Sequence, residues 1–181
     1  IMAADNVLAL FLLPLFGALS DKTNTRIGRR MPYIIGGTAA AVILMNLLPV
    51  LDNAYAASPS PLILGLFIAA LALLLVAMGV YRSPAVALMP DVTPKPLRSR
   101  GNAVINLMGA VGGILYLALA AVLYPASRKV AGHVDYQPLF IIVSLIMAVS
   151  VLALALTVKE KRLSEENRAL EKQHPDWNLA A

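Results

Sequence analysis

The stretch GALSDKTNTRIGRRMP, residues 17–32, places four cations and one carboxylate between two long apolar runs. Asp21 follows Gly17 by four residues, which puts both on one helix face, and a glycine lets a neighbouring helix approach closely. We expect Asp21 either to lie against the N-terminus of that neighbour or to pair with an arginine. Arg29 and Arg30 are expected to bind carboxylates or lipid phosphates.

Two ionisable residues lie inside apolar runs, where a charge is costly and by default indicates function. Asp5 precedes Asp21 by roughly 24 Å of helix, and is either a proton or cation coupling site or a carboxylate at the outer interface. Arg82 precedes Asp91 by about 13 Å of helix. It either binds a polar ligand in a cavity or extends its side chain to the headgroups.

A later apolar run carries two amides, Asn102 and Asn106, which are four residues apart and therefore share a helix face. Amides in this spacing either line a polar cavity or form interhelical hydrogen bonds, and both readings stay open. Gly109 and Gly113 repeat the four-residue step, which predicts close helix packing rather than binding.

The composition excludes several classes of protein. The chain is 59% hydrophobic and 14% charged, whereas soluble domains have about 25% charged residues, so it is a membrane protein. It has no cysteine, no clustered His, Asp and Glu and no Ser/His pair, so we expect neither an enzyme nor a cofactor or metal. The net charge of +5 accompanies only 6% aromatic residues, and the cations lie between apolar runs, which excludes nucleic acid as a partner.

The apolar runs predict five transmembrane helices, since a span needs about 20 residues. They are Met2–Ser20, Met31–Leu51, Pro61–Pro90, Asn102–Tyr124 and Pro138–Val158, the third with a kink or re-wound segment near Pro84.

Cations in the loops predict the orientation of these helices in the cell membrane. The first and third loops and the C-terminal tail are rich in Lys and Arg and are therefore expected in the cytoplasm, whereas the second loop has none. This rule alone accounts for Lys22 and Arg26. Arg128 and Lys129 in the fourth loop weaken the bias without reversing it. His133 in the same loop is expected to be solvated.

Taken as a pattern, G-x-x-x-D-K-x-x-x-x-x-G-R-R, formed by Gly17, Asp21, Gly28, Arg29 and Arg30, resembles the loop between the second and third helices of the major facilitator superfamily. Its longer spacing is similar to that of the glycoside-pentoside-hexuronide:cation symporters and the sucrose-transporter-like family.

A second stretch, Tyr81 to Asn106, is similar to the fourth helix of those families and its loop to the fifth. The matching positions are Pro84, Ala87, Leu88, Asp91, Arg98 or Arg100, Asn102 and Ala103. The resemblance implies a major facilitator fold in which residues 1–158 are helices two to six of the N-terminal half and residues 159–181 are a cytoplasmic tail or linker. Helix one and the C-terminal half would then be missing partners of the same chain.

The resemblance also implies a function, which is secondary active transport of a sugar or glycoside with a proton or sodium ion by alternating access. An exporter or a carrier of another solute, and a non-transporting receptor with the same fold, remain alternatives. The resemblance implies a gating network formed by Gly17, Asp21, Gly28, Arg29, Arg30, Asp91, Arg98 and Arg100. The tail is expected to be a solvated or surface-lying helix without chemistry.

Overall fold

The structure describes residues 2–125, 134–174 and 177. Within these residues, the segments between the loops are all helical. The structure, a computed structural model, does not describe the side chains of residues 1–9 and 13. The described helices are α1 (Met2–Lys22), α2 (Met31–Ala57), α3 (Pro61–Val92), α4 (Arg98–Leu123), α5 (Gln137–Thr157) and α6 (Glu160–Gln173). One 3-10 turn, Lys95–Leu97, precedes α4. No strand occurs among these residues, so the all-α prediction is confirmed.

Four helical stretches are long and apolar enough to cross a membrane, and they match the second to fifth predicted spans. They are α2, α3, Lys95–Leu123 (which contains α4) and α5. The first predicted span, α1, is helical throughout its predicted range. The second continues beyond Leu51 to Ala57, because polar Asp52 ends the apolar run without ending the helix.

One helix, α3, runs unbroken through Pro84 and Pro90, so a re-wound segment does not occur near Pro84, and the kink expected as its alternative stays a prediction. A proline removes a backbone donor, but a neighbouring helix that covers the site lets a membrane helix continue. Pro84 is among the largest fully buried side chains of the described residues, which fits this explanation.

The centre of the bundle is the contact of α2 with α3, and α5 and α1 pack on its two sides. Ala41, Leu48 and Leu74 belong to the core cluster in the middle of the bundle, and Met31, Ile34 and Leu88 form a second cluster nearer the start of α2. Gly37 sets the distance between the two helices, since a Cβ there would lie 2.9 Å from the backbone nitrogen of Tyr81. Close packing of this kind is a main source of helix association in a bilayer.

In contrast to α2, the helix α4 lies at the edge of the described bundle and contains no buried residue. The close packing predicted at Gly109 and Gly113 is absent among the described residues, because the space beside both glycines is open. A small residue permits a close approach but does not supply the second helix that would make it.

Candidate functional site

The chain places most of its paired charges at one end of the bundle, called the charged end, where residues 17–31, 91–100 and α6 meet. The loop after α1 turns sharply at Gly28, whose φ of 131° is a backbone conformation that favours glycine. The hydroxyl of Thr25 donates a hydrogen bond to the carbonyl of Gly28 and closes the turn. The turn delivers Arg29 and Arg30 to the start of α2.

Arg30 connects the first three helices at the charged end. Its Nε donates to Oδ2 of Asp91 at 2.5 Å, and its Nη2 lies 3.0 Å from Oδ1 of Asp21. Its third nitrogen, Nη1, lies 3.4 Å from the hydroxyl of Ser20. Arg30 is 7% exposed, and a buried guanidinium requires such partners on every side. The rigid fork of donors lets one side chain hold α1 and α3 against α2.

Asp91 also forms an ion pair with a second arginine. Nη2 of Arg29 lies 3.7 Å from the same Oδ2 atom that binds Arg30. The side chain of Asp91 is 22% exposed and that of Asp21 is 54% exposed, so Asp91 is the better shielded of the two carboxylates. We call Asp21, Arg29, Arg30 and Asp91 the charged gate, after the gating role that the sequence predicts for them.

Glu160, the first residue of α6, binds the N-terminus of α2. Its carboxylate accepts hydrogen bonds from the backbone amides of Arg29 (2.8 Å), Arg30 (3.0 and 3.1 Å) and Met31 (2.9 Å). The residue is 2% exposed. A helix N-terminus combines free amides with the positive end of the helix dipole, and a carboxylate satisfies both. Gly28 makes room for it, since a Cβ there would lie 2.1 Å from Oε2 of Glu160.

The rest of α6 is attached to α3 and α4. Asn167 is buried, and its amide nitrogen donates to the carbonyls of Asp91 and Thr93 at the end of α3, both at 3.2 Å. Arg98 donates to the carbonyl of Thr93 at 3.2 Å and pairs with Glu171 at 2.8 Å. We call Glu160, Asn167 and Glu171 the α6 latch.

The sequence analysis missed the α6 latch, which differs from the solvated or surface-lying helix expected there. One signal for it was present at the start of α2, where the N-cap position is Arg30 and provides no side-chain cap. A helix start without Ser, Thr, Asp or Asn at this position leaves amides that need an acceptor from elsewhere.

The family model described as Major Facilitator Superfamily matches residues 1–180. The chain belongs to the major facilitator superfamily. It is therefore a membrane transporter of small-molecule solutes and a multi-pass membrane protein, and members of this superfamily are generally carriers rather than enzymes. No solved structure matches the chain.

Three other residues that were predicted to belong to the gating network of this facilitator lie apart from the charged gate. Gly17 packs against α3, since a Cβ there would lie 3.2 Å from the hydroxyl of Ser83. Arg100 is exposed and forms no ion pair within the described part of the chain. Arg98 is paired through α6, so neither arginine of this loop binds Asp21 or Asp91.

The structure describes the side chains of three of the four candidate solute residues of the facilitator, and all three are exposed. They are Arg82, Asn102 and Asn106, and the amide of Asn106 donates to the carbonyl of Asn102 at 2.9 Å within the same helix. The side chain of Asp5 lies outside the described residues.

A different polar contact lies between two membrane helices, where the amide of Asn46 donates to the hydroxyl of Ser144 at 2.8 Å and joins α2 to α5. Among the described residues, no three His, Asp and Glu side chains are grouped to hold a metal ion.

Proposed function

We propose that this protein is a secondary active transporter that carries a sugar or glycoside together with a proton or sodium ion by alternating access. The substrate class is supported by the likeness of loop one and of the Tyr81–Asn106 stretch to the glycoside-pentoside-hexuronide:cation symporters. In this proposal, residues 1–158 are helices two to six of an N-terminal half, and residues 159–181 lead to the other half.

The observation that carries the transport mechanism is the double pairing of Arg30 with Asp21 and Asp91. A buried arginine held by carboxylates from two other helices keeps the charged end shut, and breaking these pairs lets the helices separate. We propose that the structure is the state closed at this end. The excess of Lys and Arg in its loops supports placing this end in the cytoplasm.

The candidate solute residues keep the roles that the sequence suggested. Arg82, Asn102 and Asn106 are proposed to contact the solute or line its path, and Asp5 to bind the coupling ion. The side chains of Arg82, Asn102 and Asn106 are exposed, and that of Asp5 lies outside the described residues. The proposal therefore requires a further part of the chain to complete a cavity around these residues.

The direct test is uptake of labelled disaccharides into vesicles containing the full-length protein, with and without a proton uncoupler or a sodium gradient. We expect accumulation that collapses when the coupling gradient is removed. Accumulation of a non-sugar solute, or export, would replace the proposed substrate or direction. Binding without any transport would favour a receptor.

The gating role has its own test, the Asp21→Asn variant. Asparagine keeps the size of the side chain but removes the charge that pairs with Arg30 at 3.0 Å. We expect the uptake rate to fall severalfold while the solute dissociation constant changes less than twofold, because Asp21 is not among the proposed solute contacts. Unchanged uptake would contradict the gating role.

A further inference from the structure

A groove of about 400 Å³ runs between α2 and α5 on the outside of the described bundle. Its lining is almost wholly apolar and includes Ile35, Val42, Ile43, Ala148, Leu152 and Ala155. The interval from Ala148 to Ala155 corresponds to roughly 10 Å of helix, and one leaflet of the hydrocarbon core is about 15 Å thick. The groove therefore fits within a single leaflet and covers about two thirds of its depth.

At the charged end, a second cleft of about 330 Å³ lies next to this groove. Ala155 lines both, so the apolar groove and the cleft are adjacent. The mouth of the groove carries four cations and one carboxylate, Glu165, and the cations are Arg26, Lys159, Lys161 and Arg162. We call these four side chains the cationic mouth.

Three members of the cationic mouth form no ion pair with another described residue. They are Arg26, Lys159 and Lys161, and all three are exposed. Arg162 is paired with Glu166 at 2.7 Å, and this hydrogen bond raises the pKa of the guanidinium further. The positive-inside rule explains why cations lie at this end of the bundle, but not why they converge on the mouth of an apolar groove.

We propose that the groove and the cationic mouth together bind one anionic phospholipid from the leaflet at the charged end. One acyl chain lies in the groove between α2 and α5, and the phosphate lies among Arg26, Lys159 and Lys161. A further transmembrane helix would fill the groove but leave these cations without a counter-charge, whereas an anionic lipid satisfies both parts. The inference does not depend on which solute is transported.

The test is lipid binding to the full-length protein, measured by native mass spectrometry during titration with phosphatidylglycerol or phosphatidylethanolamine. We expect phosphatidylglycerol to bind at least tenfold more tightly. In the variant Arg26→Gln/Lys159→Gln/Lys161→Gln, this affinity should fall on the order of 100-fold, since each cation near an anionic lipid contributes about fivefold.

Two further variants separate a specific site from general attraction. The matched control Lys22→Gln/Arg168→Gln/Lys172→Gln removes three exposed cations from the same end but outside the cationic mouth, and we expect it to change the affinity less than threefold. Ala148→Trp fills the groove from its exposed side and should weaken binding at least tenfold without touching the cations. Elution as a folded protein in size-exclusion chromatography is required of every variant.

The proposal is overturned by any of three results. They are equal binding of the two lipids, an equal loss in the triple variant and its matched control, and unchanged phosphatidylglycerol binding in Ala148→Trp. The last result is also the one expected if another protein segment covers the groove. A failure of uptake, in contrast, would overturn the proposed transport function and leave the lipid titration unaffected.

Discussion

Replacing Glu160 by glutamine tests whether α6 holds the charged end closed. Glutamine has nearly the same shape, but it is neutral and only one of its two terminal atoms accepts hydrogen bonds. The carbonyl oxygen can still bind the amides of Arg29 and Arg30, whereas the NH2 group would face the amide of Met31, which now binds Oε2 at 2.9 Å. One buried donor is thereby left without an acceptor.

The size of the effect follows from these contacts. A hydrogen bond to a charged group contributes about 1.5 to 3 kcal/mol and a neutral one about 0.5 to 1.5 kcal/mol. A carboxylate near a helix N-terminus adds about 0.3 to 1 kcal/mol. We therefore expect Glu160→Gln to weaken the attachment of α6 by about 2 to 4 kcal/mol, which is roughly 30- to 800-fold in the ratio of attached to detached states.

The assay is thiol labelling at Ser20, a fully buried residue beside Arg30. These 181 residues contain no cysteine, so Ser20→Cys is the single thiol in this part of the chain. We expect its labelling by a membrane-impermeant maleimide, applied to the charged end, to be at least tenfold faster when Glu160→Gln is also present.

The control is Glu166→Gln, which removes a carboxylate from the same helix whose ion pair with Arg162 is exposed. Exposed pairs of this kind contribute little to stability, so labelling of Ser20→Cys should not change. Equal labelling rates in the two double variants would refute the assignment of α6 as a latch, and so would faster labelling accompanied by loss of the folded protein.

Four other substitutions have definite expected outcomes. Gly28→Ala should lower the melting temperature and speed the labelling of Ser20→Cys, since its Cβ would lie 2.1 Å from Oε2 of Glu160 and the φ of this position is 131°. A strained backbone position costs about 1 to 3 kcal/mol. A melting temperature and labelling rate equal to those of the wild type would contradict the turn described. Thr38→Val should raise the melting temperature by a few degrees, because Thr38 is 3% exposed and its hydroxyl has no hydrogen-bond partner among the described residues. A melting temperature below that of the wild type would mean that the hydroxyl is hydrogen-bonded. Arg98→Gln should speed labelling and Arg100→Gln should not, because only Arg98 is paired with α6; the reverse order would refute this.

Much of the helical architecture could be predicted from local patterns, and part of the charged gate from the resemblance of two stretches to the major facilitator superfamily. Long apolar runs predicted the membrane helices, and the gate pattern singled out Asp21, Arg30 and Asp91, which the structure brings together. The α6 latch could not be found in this way, since Glu160 contacts α2 across about 130 residues. A polar helix with both charge signs does not reveal which of its carboxylates is buried.

For some residues that the sequence singled out, the structure shows a different partner or surrounding from the one predicted. Arg98 was grouped with Asp91 because the family resemblance implied one gating network, but its partner Glu171 comes from α6. Asn102 and Gly109 were expected to line a cavity or pack closely, and both are exposed on α4. Spacing predicts which residues share a helix face, but the neighbour that meets that face depends on tertiary packing.

The position of Glu160 links the charged gate to α5. Only Val158 and Lys159 separate the end of α5 at Thr157 from Glu160, so a displacement of α5 along or away from α2 must pull on the carboxylate that binds the amides of Arg29 and Arg30. The same two arginines hold Asp91. Alternating access requires such a connection, because movement of the membrane helices must be coupled to the breaking of charge pairs at their ends. Lengthening the connection with two glycines after Val158 should therefore leave the closed state intact but uncouple it from α5, giving slow Ser20→Cys labelling together with a reduced uptake rate.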